Sequence, residues 1–220
     1  NFLLYVLEDS RTLSRQGFES LWDITSAYAN SLDVAAWFGL LLVFEIETYW
    51  QHIYAIRRVR WPLNLMRLAC FGVLAHTLVV YTGEFLNVLE PTKLALAEAF
   101  CGQDNVTLYE LHNQVYTTLA PQACTDRLAT GELTFLLNAT TVMSDQGWRI
   151  ALNQALVSLI ECASWLAAGA AFATSAFLKR RQTYTGRLAA LVRHTPHVSY
   201  CLIVGCALSW GWYGKYLYTY

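Results

Sequence analysis

The sequence predicts an all-α membrane protein, with four transmembrane helices and a helical, disulfide-stapled extracytoplasmic segment. Three observations carry that prediction. Long apolar runs punctuate the chain, the short loops joining them in pairs hold arginines and no acids, and nearly all the acids fall in the remaining segments. Composition agrees, because the 220 residues are 55% hydrophobic and only 14% charged, with a mean hydropathy of +0.32. Soluble domains carry roughly 25% charged residues. A globule so poor in charge would leave apolar patches of the kind found at membranes and interfaces. The net charge of -1 gives no support to a nucleic-acid partner.

A spanning helix needs roughly 20 mostly apolar residues to cross about 30 Å of hydrocarbon. Four segments meet that requirement: Val34 to Ile56, Pro62 to Tyr81, Ile150 to Leu178 and Val198 to Leu217. Backbone in lipid must satisfy its own hydrogen bonds, so each is expected to be helical. The third, about 29 residues and about 43 Å long at 1.5 Å per residue, must tilt or project beyond the bilayer. Domain organisation follows: an extracytoplasmic or interfacial amphipathic helix over 1–33, the first helix pair over 34–82, a helical cap over 83–149 and the second pair over 150–220.

The loops orient the pairs. Arg57, Arg58 and Arg60 separate the first two spans, and Lys179, Arg180, Arg181, Arg187 and Arg193 separate the last two. The positive-inside bias places both loops in the cytoplasm and both termini outside. Aromatic residues near the span ends, such as Trp50, Trp61, Trp148 and Trp212, fit interfacial belts without a ligand.

Residues 1–33 repeat apolar positions at near-helical spacing, with Asp23 and Ser26 placed to cap a break before the first span. In the cap, residues 95–105 read as a helix ended by Gly102, and 106–124 as a second helix broken before Pro121. A third short element surrounds residues 127–143. Cys101 and Cys124 are the only cysteines of this segment, and an oxidising compartment predicts that they pair as a structural bridge. Asn105 and Asn138 head glycosylation sequons, which are frequent by chance.

Ionisable groups at membrane depth are expensive unless paired, so they are the place to look for function. The intramembrane polar candidates are Glu45, Glu47, His52, Arg67, His76 and Glu161. The short first loop makes spans one and two antiparallel neighbours, which puts Glu45 or Glu47 within reach of Arg67. Glu161 has no basic residue at its depth. Small residues at spacing four, Ala163, Ala167 and Ala171 on one helix and Cys201, Gly205 and Ser209 on another, suit close helix packing in lipid. No phosphate loop, zinc-protease motif, nucleophile elbow or kinase signature occurs. No metal or cofactor is expected. The one cofactor alternative is haem, held by His52 with His194 or His197.

Two functions from different classes follow. One is a component of an ion or proton channel or transporter, oligomeric, with Glu161 and the Glu45/Glu47 pair along a hydrated path. The other is a non-catalytic accessory or assembly subunit of a larger membrane complex, whose polar residues hold helices together. The expected partners are the lipid bilayer, other copies of the chain or other membrane subunits, and no nucleic acid.

Overall fold

The computed structural model describes residues 20–50, 57–90, 92–93, 101, 107–113, 115–138, 140–180 and 186–217, with Leu3, Val6, Leu7, Asp9, Ser10 and Leu13. His52, most of the amphipathic segment expected over 1–19 and the helix expected over 95–105 lie outside the described residues. The chain divides into two compact units, 1–80 and 81–220.

In the first unit, α1 (Leu21–Ala27) opens on a capping box, in which the Asp23 amide donates to Ser20 Oγ at 3.2 Å and the Ser20 amide to Asp23 Oδ2 at 2.9 Å. Asp23 therefore starts a helix rather than marking a break near Ser26. Tyr28 separates α1 from α2 (Ala29–Tyr49) and offers no side-chain cap. The missing cap comes from Asp9, whose carboxylate accepts the Ser31 amide at 3.0 Å and the Ser31 hydroxyl at 2.6 Å. A carboxylate there meets both the orphan amides and the positive end of the helix dipole. The next helix, α3 (Arg57–Leu89), begins at the arginine-rich loop and continues unbroken past Pro62, which sits near its start, where a missing amide costs little.

The second unit holds the cap and the last helix pair, α5 (Asp145–Arg180) and α6 (Gly186–Leu217). The cap departs from the expected helical fold. It is a five-stranded sheet of β1 (Thr92–Lys93), β2 (Leu108–His112), β3 (Val115–Leu119), β4 (Phe135–Asn138) and β5 (Thr141–Met143), in the order β1-β4-β5-β2-β3, antiparallel except for β2 with β5. The physical reason is the turn. Asn113 adopts φ 49°, and His112 pairs with Val115, so a two-residue loop closes a hairpin where a continuous helix was expected. Flanking residues such as Tyr109, Val115, Tyr116 and Thr117 favour a pleated surface.

Side chains alternate across this sheet. On one face Leu108, Leu119, Leu133 and Val142 pack with Cys101 and Cys124, and α4 (Pro121–Ala129) brings Cys124 into that core. Cys101 and Cys124 form the predicted disulfide, with their Cα atoms 5.7 Å apart. The other face meets α5, where the Phe135 and Trp148 rings lie 4.9 Å apart and Met143 is fully buried. Arg127 clamps the core side by giving Nη2 to Glu110 at 2.8 Å and Nε to Glu132 at 2.9 Å. Its guanidinium pKa is held above its already high ordinary value, chiefly by the Glu110 bond. Gly131, at φ 74°, ends α4, with the Glu132 amide reaching back to the Arg127 carbonyl at 2.9 Å.

Among the described residues three helices, not four, are long and apolar enough to cross a membrane: Ala29–Glu47, Arg58–Leu89 and Asp145–Ser175. Their outer surfaces are greasy, with Phe38, Leu41 and Phe44 exposed on α2 and Leu65, Leu68 and Val79 on α3. The expected fourth span lies within α6. That helix falls short because its first turns carry Arg187, Arg193, His194 and His197, and Ser199, Tyr200, Gly205 and Ser209 dilute its apolar part.

Candidate functional site

The polar groups of the apolar helices make two separate sets, one in each unit. In the first unit, contacts link α2 to α3. Arg67 forms an ion pair with Glu47, Thr77 Oγ1 lies 3.4 Å from Asp33 Oδ1, and a Cβ added to Gly39 would sit 2.7 Å from Cys70 Sγ. As the α2 residues run 33, 39, 47, their partners run 77, 70, 67, so the helices are antiparallel, as the short loop requires. The arginine takes Glu47 rather than Glu45, because Glu45 points outward and is exposed.

His76 sits one residue from Thr77, and the edge of Trp22 meets it with ring centroids 4.9 Å apart. Its Nε2 is buried without a hydrogen-bond partner among the described residues, and so is Ser26 Oγ, one turn along α1 from Trp22. Trp22, Asp33, Asp9 and Ser31 did not stand out in the sequence as site residues, since none occupies the middle of an apolar run.

In the second unit Glu161 does have a partner, though not a basic one. Trp210 Nε1 of α6 donates to Glu161 Oε2 at 2.9 Å. One turn away, Cys206 Sγ lies 3.7 Å from the Val157 carbonyl, and the Trp165 and Tyr200 rings meet at 6.4 Å. On the side of α5 that carries Val157 and Glu161, Ser164, Ala168, Ala171 and Leu178 are buried, and on α6 Ala189, Val192, Ser199 and Cys206. Of the small residues singled out at spacing four, Ala171 is buried and Ala163 and Ser209 are half-buried, while Ala167, Cys201 and Gly205 are exposed, Gly205 facing open space.

Near the cap, Gln154 of α5 donates to Asn113 Oδ1 at 2.7 Å in a fully buried contact. Trp148 Nε1 donates to the Val88 carbonyl at 2.8 Å. The first bond fastens the β2–β3 turn to α5, and the second ties α5 to the end of α3. The described residues bring no three His, Cys, Asp or Glu side chains together in a metal-binding arrangement. Haem ligation by His52 falls outside the described residues, while His194 and His197 are exposed on α6.

No protein-family model, curated protein or solved structure matches the chain.

Proposed function

We propose that the chain is a multi-pass membrane protein that acts as a non-catalytic accessory or assembly subunit, holding a disulfide-stapled sheet domain against the oxidising face of the bilayer. One observation carries this reading: the half-buried carboxylates Glu47 and Glu161 are both engaged in helix-to-helix contacts, with Arg67 and with Trp210. A group that relays ions must exchange partners, whereas these spend their bonding joining adjacent spans. In this reading α6 is the fourth span, with Leu202, Val204, Leu208 and Trp212 exposed toward lipid. The arginine loops lie in the cytoplasm and both termini outside.

A second reading is a component of an ion or proton channel or transporter. It rests on Glu161, whose hydrogen-bond partner is a neutral indole, so its charge has no cation beside it among the described residues. Replacing Glu161 with Gln separates the two. The accessory reading expects unchanged ion flux in liposomes and a lowered unfolding midpoint in detergent. Altered flux at an unchanged midpoint selects the transport reading and overturns the first.

A further inference from the structure

Helix α6 has 32 residues, about 48 Å at 1.5 Å per residue, against about 30 Å of hydrocarbon. The excess of about 18 Å corresponds to about twelve residues, and the stretch ahead of the charge-free run that begins at Val198 is 186–197. This stretch is helical and packs on the last turns of α5, with Ala189 and Val192 buried. Its outward side mixes two chemistries. Leu188 and Leu191 are 52% and 65% exposed, and Phe172 on the adjoining end of α5 is 50% exposed. Arg187, Arg193, His194 and His197 stand exposed among them.

Water would solvate the cations but not the leucines, and hydrocarbon would do the reverse. The headgroup layer accommodates both, with phosphates above and acyl chains below. The sign of the charge selects the lipid. After Glu161 the chain contains no Asp or Glu, and the stretch from the end of α5 to the start of α6 carries Lys179, Arg180, Arg181, Arg187 and Arg193.

We propose that the α5–α6 tip is a binding surface for the headgroups of anionic phospholipids. Arg187 and Arg193 meet the phosphates, while Leu188 and Leu191 lie over the first acyl carbons. The proposal rests on the membrane reading above and adds the lipid class and the residues that select it.

The test is native mass spectrometry of the full chain in detergent micelles, with phosphatidylglycerol or phosphatidylcholine added at equal concentration. Phosphatidylglycerol is expected to bind preferentially. Each juxtamembrane cation contributes about five-fold to anionic-lipid affinity, so R187Q/R193Q should lower that preference by about 25-fold. R187K/R193K keeps the charge and should keep the preference. R149Q, at the other end of α5, where Arg149 pairs with Asp145 at 3.0 Å, should leave it unchanged. Equal binding of the two lipids by a detergent-dependent chain, or a preference that survives R187Q/R193Q, overturns the lipid surface alone. A chain that stays monodisperse in buffer without detergent overturns the membrane reading as well.

Discussion

The Glu47–Arg67 pair offers a direct measure of whether intramembrane charge serves structure. Arg67 lies ten residues into α3, about 15 Å along the helix from Arg57, within the hydrocarbon layer under the proposed orientation. A cation at the centre of a span costs about 2.5–3.5 kcal/mol on insertion scales. Here the side chains are 32% and 26% exposed, so a partial share of that cost, about 1–2 kcal/mol, is the expectation for Glu47→Gln. Arg67→Gln strands the carboxylate instead and should cost a similar amount. The double variant removes both charges and leaves two amides able to bond each other. It should therefore be more stable than the sum of the single costs predicts, by at least about 1 kcal/mol. Reversible unfolding in mixed micelles, followed by tryptophan fluorescence, supplies the three differences. Costs that add within about 0.5 kcal/mol would refute the coupling and remove the main support for a structural role.

Three further outcomes test the packing. Asp9→Ala should lower stability by about 2–3 kcal/mol, since the Ser31 amide and hydroxyl lose their buried acceptor; Asp9→Asn should lose about half as much, read from denaturation midpoints in detergent. Gly147→Val should force the sheet away from α5, because a Cβ there meets the Leu111 carbonyl at 2.9 Å; hydrogen exchange in β2 should rise, and unchanged protection would contradict the close approach. Replacing Cys101 and Cys124 with Ser should remove about 3 kcal/mol from the cap for a bridge spanning 23 positions, read as faster proteolysis of residues 107–143.

How far the fold was legible depended on which physics dominated each segment. Apolar runs mark α2, α3 and α5 because hydrophobic length is a property of sequence alone. The antiparallel register that brings Arg67 to Glu47 follows from a short loop and a fixed rise. The cap was misread because Leu108, Leu111, Val115 and Leu119 recur at spacings of three and four that suit a helix equally well. A single turn residue, Asn113, decides between them. Which small residues lie on the α5–α6 seam follows from helix geometry. Steps of four advance about 40° around a helix of 3.6 residues per turn, whereas steps of seven drift by only about 20°. Val192, Ser199 and Cys206 repeat at seven and stay on the seam, while Cys201 and Gly205, taken at four, leave it. The sequence offers Glu161 no basic residue at its depth, and the structure supplies a neutral donor instead, the Trp210 indole N–H.

Two features of the second unit bear on the proposed orientation. A sheet this small, with one compact core, gains from a covalent staple, and such staples persist where the environment is oxidising. The sheet is held to the start of α5 through the Asn113–Gln154 bond, the Phe135–Trp148 ring contact and the Leu111–Gly147 approach. That helix then runs 36 residues without interruption, about 54 Å, to an end where only cations remain. Disulfide chemistry and arginine retention are unrelated physical constraints, and they act on opposite ends of one continuous element. Both support the proposed orientation, with the cap outside and the tip in the cytoplasm. Inverting the chain would violate both at once, with the Cys101–Cys124 bridge in a reducing compartment and the Arg187 end pulled across the membrane.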